Sequence, residues 1–157
     1  MSLNIVWTSC KFDELQLSQL YEIMQLRSAV FVVEQNCVYQ DIDDSDQQAY
    51  HICGYSEQKL VCYSRLLPPG FKYPGSSIGR VITHQNYRGD GLGKTLMQKS
   101  ISCCYKSWPD HNVVISAQQH LEKFYNSLGF CKQSEPYMED GIPHIEMMLN
   151  SEKAGAN

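Results

Sequence analysis

The sequence is short of basic residues and has no concentrated positive patch. Thirteen Lys and Arg stand against 17 Asp and Glu, which gives a formal net charge of −4 at pH 7, and the basic residues are scattered along the chain. A nucleic-acid-binding domain normally carries a basic face that neutralises phosphates. We therefore expect no nucleic-acid partner, although a small phosphate-bearing molecule would need only a local site.

Long apolar runs are also missing. No stretch approaches the roughly 20 apolar residues that cross a bilayer as a helix. The N-terminal region does not combine a basic segment with an apolar one, as a secretory leader does. We expect no membrane association.

The seven cysteines form no Cys-x-x-Cys pair, and no spacing of Cys, His and Asp resembles a zinc site. Several lie in apolar stretches, among them Cys53 and Cys62. Such an odd set favours reduced, buried thiols over a disulfide framework. These features predict a cytoplasmic protein that binds no metal.

Enough apolar residues remain to build one core. The 157 residues are 43% hydrophobic and 19% charged, with no internal repeat or linker, which suits a single globular domain. We predict one domain over residues 1–150 and a flexible C-terminal tail over residues 151–157.

Periodicity predicts an α+β fold, a mixed α and β domain around one sheet. Two runs at residues 50–55 and 59–67, separated by a polar turn, predict a β-hairpin. Further strands are predicted at residues 4–8, 78–83, 113–116, 130–132 and 145–149, and later helices at 91–107 and about 121–128. The first helix is predicted from apolar residues three and four apart: Leu17, Leu20, Tyr21, Met24, Ser28 and Phe31.

A glycine-rich loop, residues 88–93 (RGDGLG), joins a predicted strand to a predicted helix. The first N–H groups of a helix lack internal partners and carry partial positive charge, so they attract anions. Glycine permits positive φ and close approach of phosphate oxygens, and Arg88 adds a fixed positive charge. The loop therefore predicts a phosphate site, although a tight turn alone also uses glycine.

Spacing excludes two common phosphate motifs. A P-loop that ends at Gly93-Lys94-Thr95 needs glycine where the chain has Arg88. A dinucleotide fingerprint that starts at Gly89 or Gly91 needs glycine at position 94 or 96, which are Lys and Leu. An ATP- or GTP-binding protein is therefore disfavoured.

A different phosphate motif does fit, namely [Arg/Gln]-x-x-Gly-x-[Gly/Ala] at Arg88, Gly91 and Gly93. Together with residues 124–130 (FYNSLGF), it resembles the GNAT superfamily of N-acetyltransferases. Residues 31–37 (FVVEQNC), 39–43 (YQDID) and 140–144 (DGIPH) are similar to its ElaA-like branch. The resemblance covers nearly the whole chain.

That resemblance implies a single twisted mixed β-sheet of six to seven strands, flanked by about four helices, with splayed central strands. It implies an acetyl-CoA-dependent N-acetyltransferase that acts on a primary amine, either a small molecule or an exposed peptide amino group. Direct transfer in a ternary complex is expected, because no cysteine has the cationic surroundings of an acyl-carrying nucleophile. A non-catalytic acyl-CoA-binding module is the alternative, and a homodimer is left open.

The resemblance also assigns the cofactor-binding residues. Backbone groups of Val81, Ile82 and Thr83 would lie along the pantetheine arm. Phe124 would contact the cofactor or belong to the core. The pyrophosphate would be held by the glycine loop and the residue after it: Arg88, Gly89, Asp90, Gly91, Leu92, Gly93 and Lys94.

Candidate catalytic residues follow from the same resemblance. Tyr125 matches the tyrosine that protonates the leaving thiolate, although an aromatic residue in an apolar helical stripe also suits a core role. His120 and His144 are the candidates for the general base, since histidine titrates near neutrality. On the acceptor side, Glu34, Asp41 and Asp43 are expected to attract a protonated amine.

Overall fold

The computed structural model describes residues 3–151, and one open mixed sheet of eight strands runs through it. Its strand order is β1-β2-β3-β4-β5-β8-β6, with β7 also paired to β8. Only β4 and β5 pair in parallel; every other pairing is antiparallel. The strands are β1 (Val6–Lys11), β2 (Tyr50–Ser56), β3 (Lys59–Leu67), β4 (Ser76–Thr83), β5 (Val113–Gln118), β6 (Cys131–Lys132), β7 (Tyr137–Glu139) and β8 (Ile142–Leu149).

Three α-helices accompany the sheet: α1 (Leu17–Arg27), α2 (Leu92–Ser107) and α3 (Glu122–Asn126). A wider π-type segment, Ser28–Glu34, continues α1. The α+β class and the splayed mixed sheet are confirmed. The described part of the chain has one strand more than the predicted six to seven and one α-helix fewer than the predicted four. The strand missing from the prediction is β7.

The buried face of α1 differs from the predicted stripe. Ile23, Leu26 and Val30 point into the core, whereas Leu17 and Tyr21 are 85% and 71% exposed. The fully buried Arg27 lies in the same stripe as the core residues. The prediction was wrong at Leu17 and Tyr21, whereas Met24 and Phe31 do pack against the core cluster. The buried positions of Ile23 and Leu26 were missed because the charged Arg27 interrupts their apolar periodicity.

Apolar clusters cover both faces of the sheet. Leu96 and Met97 of α2 and Tyr125 of α3 pack on one face, and Ile23 of α1 packs with Tyr63 in a separate cluster. All seven cysteines are free thiols, as predicted, and Cys53, Cys62 and Cys104 are buried. The described residues contain no helix that is both long and apolar enough to cross a membrane.

The chain end is only partly described. Ser151 is buried, and its backbone N–H donates to Asn112 Oδ1 at 2.8 Å. The remainder of the predicted tail, residues 152–157, lies outside the described residues.

The central strands β4 and β5 separate after two paired positions, Ser76 with Val113 and Ser77 with Val114. A bulge lies just beyond this point, because β3 pairs Arg65 with Gly79 and Tyr63 with Ile82, which leaves one extra residue on β4. Arg80 in the bulge has a φ of 52°. Separation of the strands leaves backbone groups on both edges unpaired with each other and opens a space between them.

Candidate active site

A cleft of about 670 Å³ lies where β4 and β5 separate, and we call it the β4–β5 cleft. It brings together residues from both central strands, the glycine loop, α3 and the β7–β8 hairpin. Fourteen of the sequence-predicted site residues line it: Glu34, Val81, Ile82, Thr83, Arg88, Gly89, Gly91, Leu92, Gly93, Lys94, His120, Phe124, Tyr125 and His144. Asp41, Asp43 and Asp90 do not line it.

The glycine loop at one end of the cleft has the geometry of an anion site. Gly89 and Gly91 have φ values of 97° and 77°, which side chains with a Cβ rarely adopt. Gly91 is the N-cap of α2, and no side chain caps this helix. The first helical bond after the cap runs from Thr95 N–H to Gly91 O, so the preceding N–H groups have no partner within the helix.

Arg88 joins the glycine loop to the segment after α1. Its Nε donates to the Thr83 carbonyl oxygen at 2.8 Å, and its other nitrogens form a bidentate pair with Glu34. The hydrogen bond and charge of Arg88 lower the pKa of Glu34. Glu34 was expected to attract the acceptor amine. Its negative charge is instead balanced by Arg88, a residue of the predicted pyrophosphate loop.

Tyr125 lies on the cleft wall, and its side chain belongs to the core at the same time. It is 7% exposed, and its ring packs edge-on against Phe124 and Phe130. Burial raises the pKa of Tyr125 to about 12. The phenol therefore holds its proton at neutral pH and is available there as a proton donor.

The two histidine candidates lie in different surroundings. His120 is exposed in the short turn before α3. His144 is buried in β8, and its Nδ1 lies 2.7 Å from the Ile142 carbonyl oxygen. Its Nε2 lies 3.2 Å from Glu139 Oε2. His144 is thus the one whose ring orientation is fixed from both sides.

Asp41 and Asp43 belong to an ion-pair network with three arginines and do not line the cleft. Arg27 binds Asp41 at 2.8 Å, Arg65 binds Asp43 at 2.7 Å, and Arg80 binds Asp41 at 2.6 Å. Burial opposes ionisation of Asp43, but hydrogen bonds and charge from Arg65 and Arg80 hold its pKa well below the ordinary value. The geometry favours a structural role for these two carboxylates over the expected binding of an acceptor.

Sequence reasoning missed the polar residues of the β7–β8 hairpin. Glu139 accepts a hydrogen bond from Ser116 Oγ at 3.3 Å, and the Tyr137 hydroxyl lies 2.5 Å from the same Ser116 oxygen. One signal was present in the sequence, because Asp140-Gly141 between two short runs is a strong hairpin turn. Both turn residues have positive φ, 51° and 79°.

No group of three His, Cys, Asp or Glu side chains within residues 3–151 is arranged to hold a metal ion.

Comparison with known proteins places this geometry in a family. The family model described as "Acetyltransferase (GNAT) domain" matches residues 17–151. Protein ElaA of Escherichia coli is 48% identical over 145 residues, which cover 91% of this chain and 95% of that protein.

Solved structures agree with this match. The crystal structure of Escherichia coli ElaA superimposes with a TM-score of 0.89 at 46% identity, over 94% of this chain and 100% of that one. An acyl-CoA N-acyltransferase from Pseudomonas aeruginosa gives a TM-score of 0.90 at 39% identity, over 93% and 99% of the two chains. The chain therefore belongs to the GNAT acyl-CoA-dependent N-acyltransferase family and, within it, to the ElaA-like branch.

Proposed function

We propose that this protein transfers an acetyl group from acetyl-CoA to a primary amine, directly and within a ternary complex. The observation that carries the proposal is that one cleft contains both an uncapped helix N-terminus behind a glycine loop and two side chains suited to proton transfer, Tyr125 and His144. The first feature suits a pyrophosphate, and the second suits acyl transfer to nitrogen.

The chain's residues fit the cosubstrate. N–H groups at the start of α2, together with Lys94, would hold the pyrophosphate. The edge of β4 at Val81, Ile82 and Thr83, unpaired with β5, would accept the extended pantetheine arm as an added strand does. Bound acetyl-CoA supplies an activated thioester, and an N–H of this edge would stabilise the negative charge on its carbonyl oxygen.

Two residues are proposed to move protons. Tyr125 protonates the departing thiolate: burial raises its pKa to about 12, so the phenol is protonated at neutral pH and gives up its proton only as negative charge develops on the sulfur. His144 takes a proton from the amine at Nε2, since the Ile142 carbonyl fixes the proton on Nδ1. His120 lines the same cleft and is the second candidate for this role.

A covalent acyl-cysteine route has little support in this cleft. Cys37 is the cysteine that lines it, and its thiol donates to the Asp140 carbonyl oxygen at 3.4 Å. This contact engages the thiol with a backbone acceptor and places no positive charge beside the sulfur. Free thiols throughout the chain also support a reducing compartment such as the cytoplasm.

Release of free thiol from acetyl-CoA in the presence of a panel of amines tests the proposal. Small aliphatic amines, amino acids and short peptides form the panel, with propionyl-CoA and hexanoyl-CoA as alternative donors. We expect turnover with acetyl-CoA and at least one primary amine. Acetyl-CoA should also raise the melting temperature, whereas ATP should not. Thermal stabilisation without any turnover would instead indicate a non-catalytic acyl-CoA-binding module.

A further inference from the structure

Carboxylates near the β4–β5 cleft differ in whether a basic residue already neutralises them. Three acidic residues line the cleft: Glu34, Glu139 and Asp140. Glu34 is paired with Arg88. Within residues 3–151, neither Glu139 nor Asp140 forms an ion pair with a lysine or arginine. Negative charge available to a ligand is therefore concentrated at the tip of the β7–β8 hairpin.

Glu139 is held in place by neutral donors and by a histidine. Ser116 Oγ donates to its Oε1 at 3.3 Å, and His144 Nε2 lies 3.2 Å from its Oε2. Tyr137 lies 2.5 Å from Ser116 Oγ and stacks on the His144 ring. These contacts orient the carboxylate while its side chain stays 42% exposed.

The contact between Glu139 and His144 lacks a donor when the imidazole is neutral. With the ring proton on Nδ1, where it donates to the Ile142 carbonyl oxygen at 2.7 Å, Nε2 of His144 presents a lone pair to a carboxylate oxygen. Two acceptors 3.2 Å apart are satisfied either by a second proton on His144 or by a donor that a ligand supplies. An ammonium group carries three N–H donors and a positive charge, which matches this pair of acceptors.

We propose that Glu139 and His144 form the docking site for the acceptor's ammonium group, so that the acceptors are aliphatic primary amines protonated at neutral pH. This inference rests on the proposed function and gives it a substrate class. Glu139 contributes the negative charge that balances the ammonium group. It thus takes the role that was expected of Asp41 and Asp43.

Docking at this site also accounts for the proton that the amine must lose. The ammonium group gives one proton to His144 Nε2, and the resulting imidazolium stays paired with Glu139. The freed nitrogen lone pair forms the C–N bond as the C–S bond breaks. Tyr125 protonates the sulfur and recovers a proton from the nitrogen, and His144 later releases its proton to water. The other titratable groups that face the cluster are Tyr73, Tyr137, Asp140 and Glu146.

Binding of a cation and of its neutral isostere tests the docking site without relying on turnover. Benzylamine and benzyl alcohol are titrated into the complex with CoA, and backbone amide shifts of residues 139–142 and of His144 are followed by NMR. We expect benzylamine to bind more tightly than benzyl alcohol, and Glu139→Gln to weaken benzylamine binding about tenfold or more. Benzyl alcohol binding should change less than twofold. Glu135→Gln is the matched control, because it removes an exposed acid of the same segment that does not line the cleft.

Kinetics give the second readout. With the best aliphatic amine of the panel, Glu139→Gln should lower kcat/KM about tenfold or more, chiefly through KM, while affinity for acetyl-CoA is unchanged. Equal benzylamine affinity in wild type and Glu139→Gln, or equal affinity of the wild type for benzylamine and benzyl alcohol, would overturn the docking site. If benzylamine binds as expected but no amine releases thiol, the ammonium site stands and the proposed transferase function fails.

Discussion

Two acid-bearing segments of this protein use their carboxylates in opposite ways. The acidic segment, residues 41–46, contributes Asp41, Asp43 and Asp46 to ion pairs with arginines. The tip of the β7–β8 hairpin contributes Glu139, whose carboxylate contacts Ser116 and His144 and, among residues 3–151, forms no ion pair with an arginine or lysine. The first arrangement neutralises charge and fixes a loop, whereas the second keeps a carboxylate on the wall of the cleft.

The difference shows that acid density along the chain does not measure the charge available to a ligand. The arginine partners of Asp41, namely Arg27 and Arg80, are 14 and 39 residues away in sequence. Arg80 is also turned by the β4 bulge, and its guanidinium lies near the rings of Phe31 and Tyr39. The acidic segment is thereby attached to the strand that opens the cleft, which gives it a positioning role.

Removing an arginine from the network should have the largest effect. Arg27 is fully buried and binds both Asp41 and Asp46, so Arg27→Met leaves two buried carboxylates short of a partner. We expect a loss of about 3–5 kcal/mol in the free energy of unfolding, measured by urea denaturation. Asp44→Asn, an exposed position in the same segment, should change it by less than about 0.5 kcal/mol. Equal stability of Arg27→Met and wild type would mean that the network does not hold the segment.

A substitution on the cleft wall should lower activity and leave the ion-pair network of the acidic segment intact. Tyr125→Phe keeps the ring that packs on Phe124 and Phe130 but removes the hydroxyl. We expect kcat to fall about 100-fold, because the thiolate loses its proton donor, while affinity for acetyl-CoA stays within about twofold. A thiol-release assay measures kcat, and calorimetric titration measures the affinity for acetyl-CoA. Unchanged kcat would assign Tyr125 to the core alone.

Local patterns were sufficient to predict the glycine loop and the elements on either side of it. The glycine loop, its strand and its helix are contiguous in sequence, and each contributes a signal that depends on near neighbours: β-branched residues, positive-φ glycines and a helical apolar stripe. The structure accordingly places Arg88, Gly91 and Gly93 on the cleft. The hairpin at residues 50–67 was predicted for the same reason.

The acidic segment, the buried face of α1 and strand β7 depend on contacts that no local pattern contains. Asp41 is paired by both Arg27 and Arg80, which are distant from it in sequence, and the conformation of Arg80 follows from a register shift between β3 and β4. The α1 face was mispredicted because Arg27 is buried by aspartates that come later in the chain. Strand β7 has only three residues, which is too short for a periodic signal.

A smaller effect concerns the pH dependence of stability, which we expect to involve the acidic segment and its neighbour His51. His51 is buried beside the acidic segment, with Nδ1 at 2.7 Å from the Tyr63 hydroxyl and Nε2 at 3.0 Å from the Asp46 carbonyl oxygen. Burial lowers the pKa of His51, assisted by the charges of Arg27 and Arg65. A neutral ring satisfies both contacts, since it accepts from the hydroxyl and donates to the carbonyl.

The sign of this dependence follows from proton uptake. Below the ordinary histidine pKa of about 6.5 the unfolded chain binds a proton that the folded chain does not, so stability falls as pH falls from 6.5 towards the lowered pKa. We expect His51 to account for a loss of about 1 kcal/mol between pH 7.5 and 5.5. His51→Gln should remove that part of the slope in urea denaturation at the two pH values, and the exposed His111→Gln controls for loss of a histidine. Equal dependence of the unfolding free energy on pH in the two variants would mean that His51 does not make the acidic segment sensitive to pH. The difference between the acidic segment and the β7–β8 hairpin would then consist of the ion pairs alone.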